Sequence, residues 1–207
     1  LMDISYDRHS LLIDGQPTFI RSGAMHYFRL PSQDLWVDRL KKLKAAGYNA
    51  VDLYCCWGYH SPEPGVYDFE GVRDVGRLFE ITHELGLYLI ARPGPYINAE
   101  YTMGGLPGWL LIQDGVTIRN RSKEGQLVWS DEYMKYVREW WEQIIPFIRK
   151  APNLILMQIE NEYATQEVEP DYMQALYDMS RELGITVPLF HNDLYSFGLY
   201  QDVVDIY

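Results

Sequence analysis

Leu154-Ile155-Leu156-Met157-Gln158-Ile159-Glu160-Asn161-Glu162-Tyr163 is the stretch from which the rest of the chain can be read. Its first four residues form a short apolar run, the pattern of a strand buried on both faces. Two carboxylates and an amide then crowd the end of that run. Ionised carboxylates are costly to hold beside an apolar core. A fold that concentrates them there points to proton chemistry or sugar recognition. The plain alternative is a solvated strand end that runs into a loop.

Outward from this strand, apolar runs of similar length alternate with helical patterns. Residues 4–18 read as a hairpin with its turn at Asp14-Gly15, and Phe19 to His26 as a first core strand. Ser32 and Asp34 can open a helix whose inner face is Trp36, Leu40 and Leu43, and Gly47 closes it. Ala50 to Cys55 is a second strand. Val75, Leu78, Phe79, Thr82 and Leu85 mark a second helix, and Leu87 to Arg92 a third strand. A long Pro/Gly loop follows. Tyr133, Val137, Trp140, Trp141, Ile144 and Ile148 then form a wide apolar stripe on a third helix. Met173, Leu176, Ser180 and Leu183 mark a fourth. Val187 to His191 and Val203 to Ile206 read as strands five and six. Alternation at these lengths implies βα units and a parallel sheet, with chemistry at the carboxyl ends of its strands. Polar groups gather at those ends: Tyr54, Asn98 to Glu100, Asn161 to Glu162, and His191 to Asp193.

The 207 residues show no repeats or linker-like tracts, so a single domain is expected over 1–207. A net charge of -11 disfavours nucleic acid or an anionic membrane as partner and suits a neutral ligand. No apolar run approaches the ~20 residues of a membrane helix. The start carries no basic, apolar leader pattern, which points to the cytoplasm. Cys55 and Cys56 are adjacent, where a disulfide would be strained, and they lack partners for a zinc cluster. They read as reduced packing residues. The sequon Asn120-Arg121-Ser122 is discounted in the absence of a leader. The sequence implies neither a metal nor a cofactor.

Two longer motifs carry a resemblance. Arg92-Pro93-Gly94-Pro95-Tyr96-Ile97-Asn98-Ala99-Glu100, followed by Gly104-Gly105-Leu106-Pro107 and Trp109-Leu110, resembles the signature of family 35 glycoside hydrolases, the β-galactosidases. Gln158 to Tyr163 resembles that family's second signature. Gly23 to Pro31, Trp36 to Gly47, Asn49-Ala50, and Tyr54 with Trp57 and His60 also fit. The resemblance implies a (β/α)8 TIM barrel, of which about six βα units lie in this chain. It implies Glu162 as acid/base and Asn161 as a ligand of the galactose hydroxyls. Tyr54, Asn98, Ala99 and Glu100 correspond to the remaining galactose-binding positions, Ala99 through its backbone. Around them Gly58, Ser61, Tyr101 and Ala164 depart from the commonest pattern, which places linkage and aglycone preference in question.

These residue types suit the reaction. An acetal leaving group needs a proton as its bond breaks, and a carboxylic acid supplies it, then removes one from water. A retaining enzyme holds its two carboxyl groups roughly 5 Å apart. Glu160 and Glu162, two apart on one strand face, would lie about 6–7 Å apart, so spacing alone leaves Glu160 open as the second carboxylate. In the family pattern Glu160 is a supporting residue and the nucleophile lies on strand seven. No such strand is found here, so residues 1–207 are expected to be the amino-terminal portion of a longer enzyme, inactive alone, with the carboxyl-terminal remainder as partner. A sugar-binding scaffold and a barrel glycosidase for another sugar remain the competing classes. His26, His60 and Asp193 are open to lining the pocket or to a core role, and Glu63 reads as loop solvation.

Overall fold

The computed structural model of the chain describes residues 2–120, 128–163, 169–193 and 200–207. Three short strands, β1 (Ile4–Tyr6), β2 (Leu11–Ile13) and β3 (Gln16–Thr18), form an antiparallel meander. Its second turn is the expected Asp14-Gly15, with φ of 49° and 76°. Two left-handed residues in succession match the twist of a tight hairpin, which glycine tolerates without strain.

The main sheet is parallel: β4 (Ser22–Ala24), β5 (Ala50–Tyr54), β6 (Tyr88–Arg92), β7 (Leu154–Gln158) and β8 (Leu189–Phe190), in sequential order. Helices α1 (Gln33–Ala45), α3 (Val75–Glu84), α4 (Asp131–Lys150) and α5 (Pro170–Glu182) intervene, with a short α2 (Trp57–His60) after β5. Parallel neighbours in chain order with helical crossovers are the construction of a TIM barrel. The barrel is not closed by the described residues.

Side-chain polarity explains the helices. Ser32 accepts the Leu35 N–H at 3.4 Å to start α1, and Asp74 accepts that of Arg77 at 2.8 Å to start α3. Every residue of the expected stripe on α4 is buried. Trp140 stacks on Trp57 with centroids 6.2 Å apart and donates its indole N–H to the Pro93 carbonyl at 3.0 Å.

Two faces of the sheet bury different things. Val51, Leu53, Leu89 and Ala91 face the helices in the large core. Ala50, Ile90 and Ile155 face the other way, onto Ile13 of the meander. Strand alternation then puts Asp52 and Tyr54 above Ala50, and Arg92 above Ile90. This inner face therefore runs from an apolar floor to a charged and polar mouth.

Some sequence-based boundaries shift. The strand expected from Phe19 to His26 shrinks to Ser22–Ala24, and Phe19 is 80% exposed. Propensity marked an apolar run, but pairing with β5 extends only over Ser22, Gly23 and Ala24. The expected strand Val203 to Ile206 contributes a single parallel bridge, Ile206 to Phe190. Cys55 and Cys56 are both free and buried; burial pushes the Cys56 thiol up to about 12 and Cys55 higher still. Their reduced state follows from packing and carries no information on compartment. Among the described residues no helix is long and apolar enough to cross a membrane. Residues 121, 122 and 164, on which the sequon and one family departure rest, lie outside the described residues.

Candidate active site

The site residues converge at the carboxyl ends of β5, β6 and β7. Its centre is the Asn161 side chain. Its Oδ1 accepts from Arg92 Nη2 at 3.0 Å, Tyr54 Oη at 3.1 Å and Gln158 Nε2 at 3.3 Å. Guanidinium and amide nitrogens only donate, so the oxygen must face them. The amide rotamer is thereby fixed, and its NH2 is turned away from this network as a donor.

Arg92 is set by its own surroundings. It pairs with Asp52 at 3.2 Å and lies over the Tyr54 ring with the guanidinium carbon 3.9 Å from the centroid. Asp52 in turn accepts from Ser22 at 3.3 Å. Burial holds the Tyr54 phenol above its usual range; Arg92 opposes this, and the carboxylates of Asp52, Glu162 and Glu100 add to it. Glu100 and Glu162 thus bear on the same phenol from two different loops.

The loop after β6 supplies Asn98, Ala99 and Glu100. All three have left-handed backbones, with φ of 54°, 52° and 46°. Such conformations cost of order 1–3 kcal/mol each and persist only where the surroundings enforce them. Arg29 does so: its Nη2 donates to the carbonyls of Ala99 and Glu100, each at 2.8 Å. Ala99 is buried and Glu100 exposed. Gly104 closes the loop against Tyr96, where any Cβ would stand 1.9 Å from the ring.

Glu160 and Glu162 part company. The strand ends at Gln158, and left-handed φ values of 58° at Glu160 and 47° at Glu162 break the alternation assumed from their spacing. Glu160 turns inward, fully buried, and binds Arg119 Nη2 and Tyr172 Oη, both at 2.6 Å. Glu162 stays half-buried, its N–H donating to the Asn192 carbonyl at 3.0 Å. Glu160 is therefore held in a structural ion pair rather than presented beside Glu162.

The open histidine assignments resolve by partner. His60 is fully buried; its Nδ1–H donates to the Asp68 carbonyl at 2.8 Å, and Tyr27 donates to Nε2 at 2.7 Å. Burial pushes it down to about 4, and it belongs to the core. His26 lies at the mouth, edge-on to Tyr54 at 5.7 Å, and its Nδ1 accepts from Arg29 at 3.2 Å. Burial, with Arg29 beside it, holds His26 below the usual imidazole range. The Asp193 side chain is buried against His191 at 3.2 Å and also accepts from Tyr207. Glu63 is exposed. Ser61, expected around the pocket, is buried under Trp109, whose indole N–H donates to its carbonyl at 2.9 Å.

Sequence reasoning missed Arg29, Asp52, Arg92, Arg119 and Tyr172 as site-building residues. Asp52 and Arg92 did leave a signal, since the one interrupts an apolar strand with a charge and the other ends one. Arg119 and Tyr172 left none, because they meet Glu160 from 41 and 12 residues away.

Comparison with known proteins places this geometry. The sequence profile of Glycosyl hydrolases family 35 matches residues 10–202. The chain belongs to glycosyl hydrolase family 35. A mouse (Mus musculus) protein named beta-galactosidase is 40% identical over 197 residues, covering 92% of this chain and 29% of the mouse protein. A probable beta-galactosidase B of Aspergillus fumigatus is 38% identical over 204 residues, covering 92% of this chain and 20% of the fungal protein. This family 35 chain thus spans well under a third of those relatives' length. Among solved structures, the Parabacteroides merdae beta-glucuronidase superposes with a TM-score of 0.63 at 16% identity, covering 100% of this chain and 22% of that one. The exo-beta-1,4-mannosidase Op5Man5 of an Opitutaceae bacterium gives 0.63 at 17%, covering 84% and 32%. At such identities these structures show the fold alone, that of a TIM barrel.

Proposed function

We propose that the complete protein is a retaining β-galactosidase with Glu162 as its acid/base. The observation that carries this is the Asn161 amide, locked by Tyr54, Arg92 and Gln158 immediately before Glu162 at the mouth of a family 35 barrel. Relatives named beta-galactosidase at about 40% identity supply the sugar. In this reading the Asn161 NH2 donates to a galactosyl hydroxyl, a bond that strengthens as the oxocarbenium-like transition state forms. Tyr54, Asn98, the Ala99 backbone and Glu100 hold the remaining ring hydroxyls. Glu162 gives its proton to the departing aglycone oxygen, then takes one from water as the glycosyl-enzyme is hydrolysed. The nucleophilic carboxylate comes from outside residues 1–207. Its carboxyl group lies roughly 5 Å from that of Glu162, as retention requires.

A panel of nitrophenyl glycosides offered to the full-length protein tests this. β-Galactosides should be cleaved preferentially. Glu162→Gln should lower kcat/KM for unactivated galactosides by about 10²–10⁴. Fast β-glucoside cleavage without β-galactoside cleavage would refute the sugar assignment. Galactose binding without turnover would favour a scaffold.

A further inference from the structure

We propose that the buried Glu160–Arg119 pair is a positioning device for the acid/base, an inference that rests on the reading of Glu162 given above. The pair grips the backbone on both sides of Asn161. Glu160 Oε1 accepts the Asn161 N–H at 3.1 Å, and Arg119 Nη2 donates to the Asn161 carbonyl at 2.7 Å. The carbonyl belongs to the peptide that leads into Glu162. Both peptide planes flanking Asn161 are thus tied to one ion pair, between two residues whose left-handed φ values aim Glu162 away from the strand.

The pair is itself rigidly held. The Arg119 guanidinium lies over the Tyr96 ring at 3.9 Å, and its carbonyl accepts from Tyr163 Oη at 2.9 Å. Tyr172 on α5 donates to Glu160 Oε2 and stands 3.2 Å from the Tyr133 hydroxyl on α4. Side-chain exposures of 0% for Glu160 and 11% for Arg119 mean that both charges are largely withdrawn from water. Well-packed apolar residues would stabilise such a site as well or better. A buried pair that also satisfies backbone groups of the catalytic turn is better explained by geometry than by stability. Arg119 and Glu160 are positioning residues in this reading, since they act on the backbone that carries Glu162.

Leaving-group dependence in the full-length enzyme distinguishes this role from general support. Protonation matters for poor leaving groups and hardly for good ones, so a misplaced acid is exposed by the slope of rate against leaving-group pKa. Glu160→Gln and Arg119→Lys should lose about 30- to 100-fold in kcat/KM on alkyl and phenyl β-galactosides, and less than about fivefold on the dinitrophenyl substrate. Tyr172→Phe, which leaves the ion pair intact, should show the same slope change at smaller size and decides the matter if the other two fail to fold. Glu162→Gln is the reference. If it shows the slope change while the positioning variants lose activity uniformly, the device is refuted alone. If Glu162→Gln itself hits all galactosides alike, the acid/base reading falls and this inference with it.

Discussion

At Asn161, three donors converge on one oxygen, and their removal can be graded. Tyr54→Phe deletes a single hydroxyl donor to Oδ1, a loss of about 1 kcal/mol or more when the acceptor is part-buried. A decrease of about tenfold in kcat/KM on a nitrophenyl galactoside is expected, with Tm little changed. Arg92→Met is different in kind, because it strands Asp52. Unpairing a largely buried carboxylate costs about 3–5 kcal/mol. The side chains of Arg92 and Asp52 are only 15% and 18% exposed, so most of that cost applies. Denaturant unfolding of the full-length protein should register it. His60 yields a pH prediction. Its imidazole ionises at about 4 in the fold and near 6.5 when unfolded. Above pH 6.5 both states are neutral and stability is complete. As pH falls from 6.5 to 4 only the unfolded state takes up the proton, and about 3 kcal/mol is lost. His60→Gln should flatten the fall in Tm across that window. An unaltered slope would show that His60 is not the group responsible.

At the scale of elements, the helices of this chain form where local signals and tertiary contacts agree. The α4 stripe was legible because its six residues, all buried in the fold, recur at helical spacing, and they include both tryptophans that reach the Pro93 carbonyl. That carbonyl opens the loop bearing Asn98 to Glu100, so α4 supports the site as well as the core. Ser130 joins the same helix to the preceding loop: its Oγ accepts from Tyr133 and Thr117 and donates to the Gly115 carbonyl. Ser130→Ala should destabilise by about 1–2 kcal/mol, more than an exposed cap, since buried partners lose their bonds. Thermal unfolding measures it; a change under about 0.3 kcal/mol would mean that the loop readjusts. Strand boundaries were less legible. Phe19 and Val203 have apolar character, but pairing decides a strand, and pairing starts only at Ser22 in the first case and is confined to Ile206 in the second.

The molecule as a whole presents an incomplete barrel. Among the described residues β4 has a partner only on its β5 side, and a recess of about 520 Å³ opens beside it, lined by Met25, His26, Arg29 and Leu40. A groove of about 790 Å³ also runs between the meander and Leu156, Ile206 and Tyr207. Open edges of a parallel sheet leave backbone groups and apolar surface to water. Residues 1–207 expressed alone are expected to show no turnover of nitrophenyl galactosides and to bind a hydrophobic dye. Turnover abolished by Glu162→Gln in that piece would overturn this.

By itself the sequence determined the alternation of strands and helices, the end of the sheet at which polar groups gather, and the family, because periodicity and contiguous motifs are local properties. The roles of neighbouring residues were decided only by tertiary structure. Glu160 and Glu162 look alike in the chain, and their spacing places them on one face. Left-handed backbone at both, an arginine 41 residues away and a tyrosine on α5 send one carboxylate into the core and leave the other at the barrel mouth. Contacts made across the fold set that difference, and the spacing of the pair does not encode it.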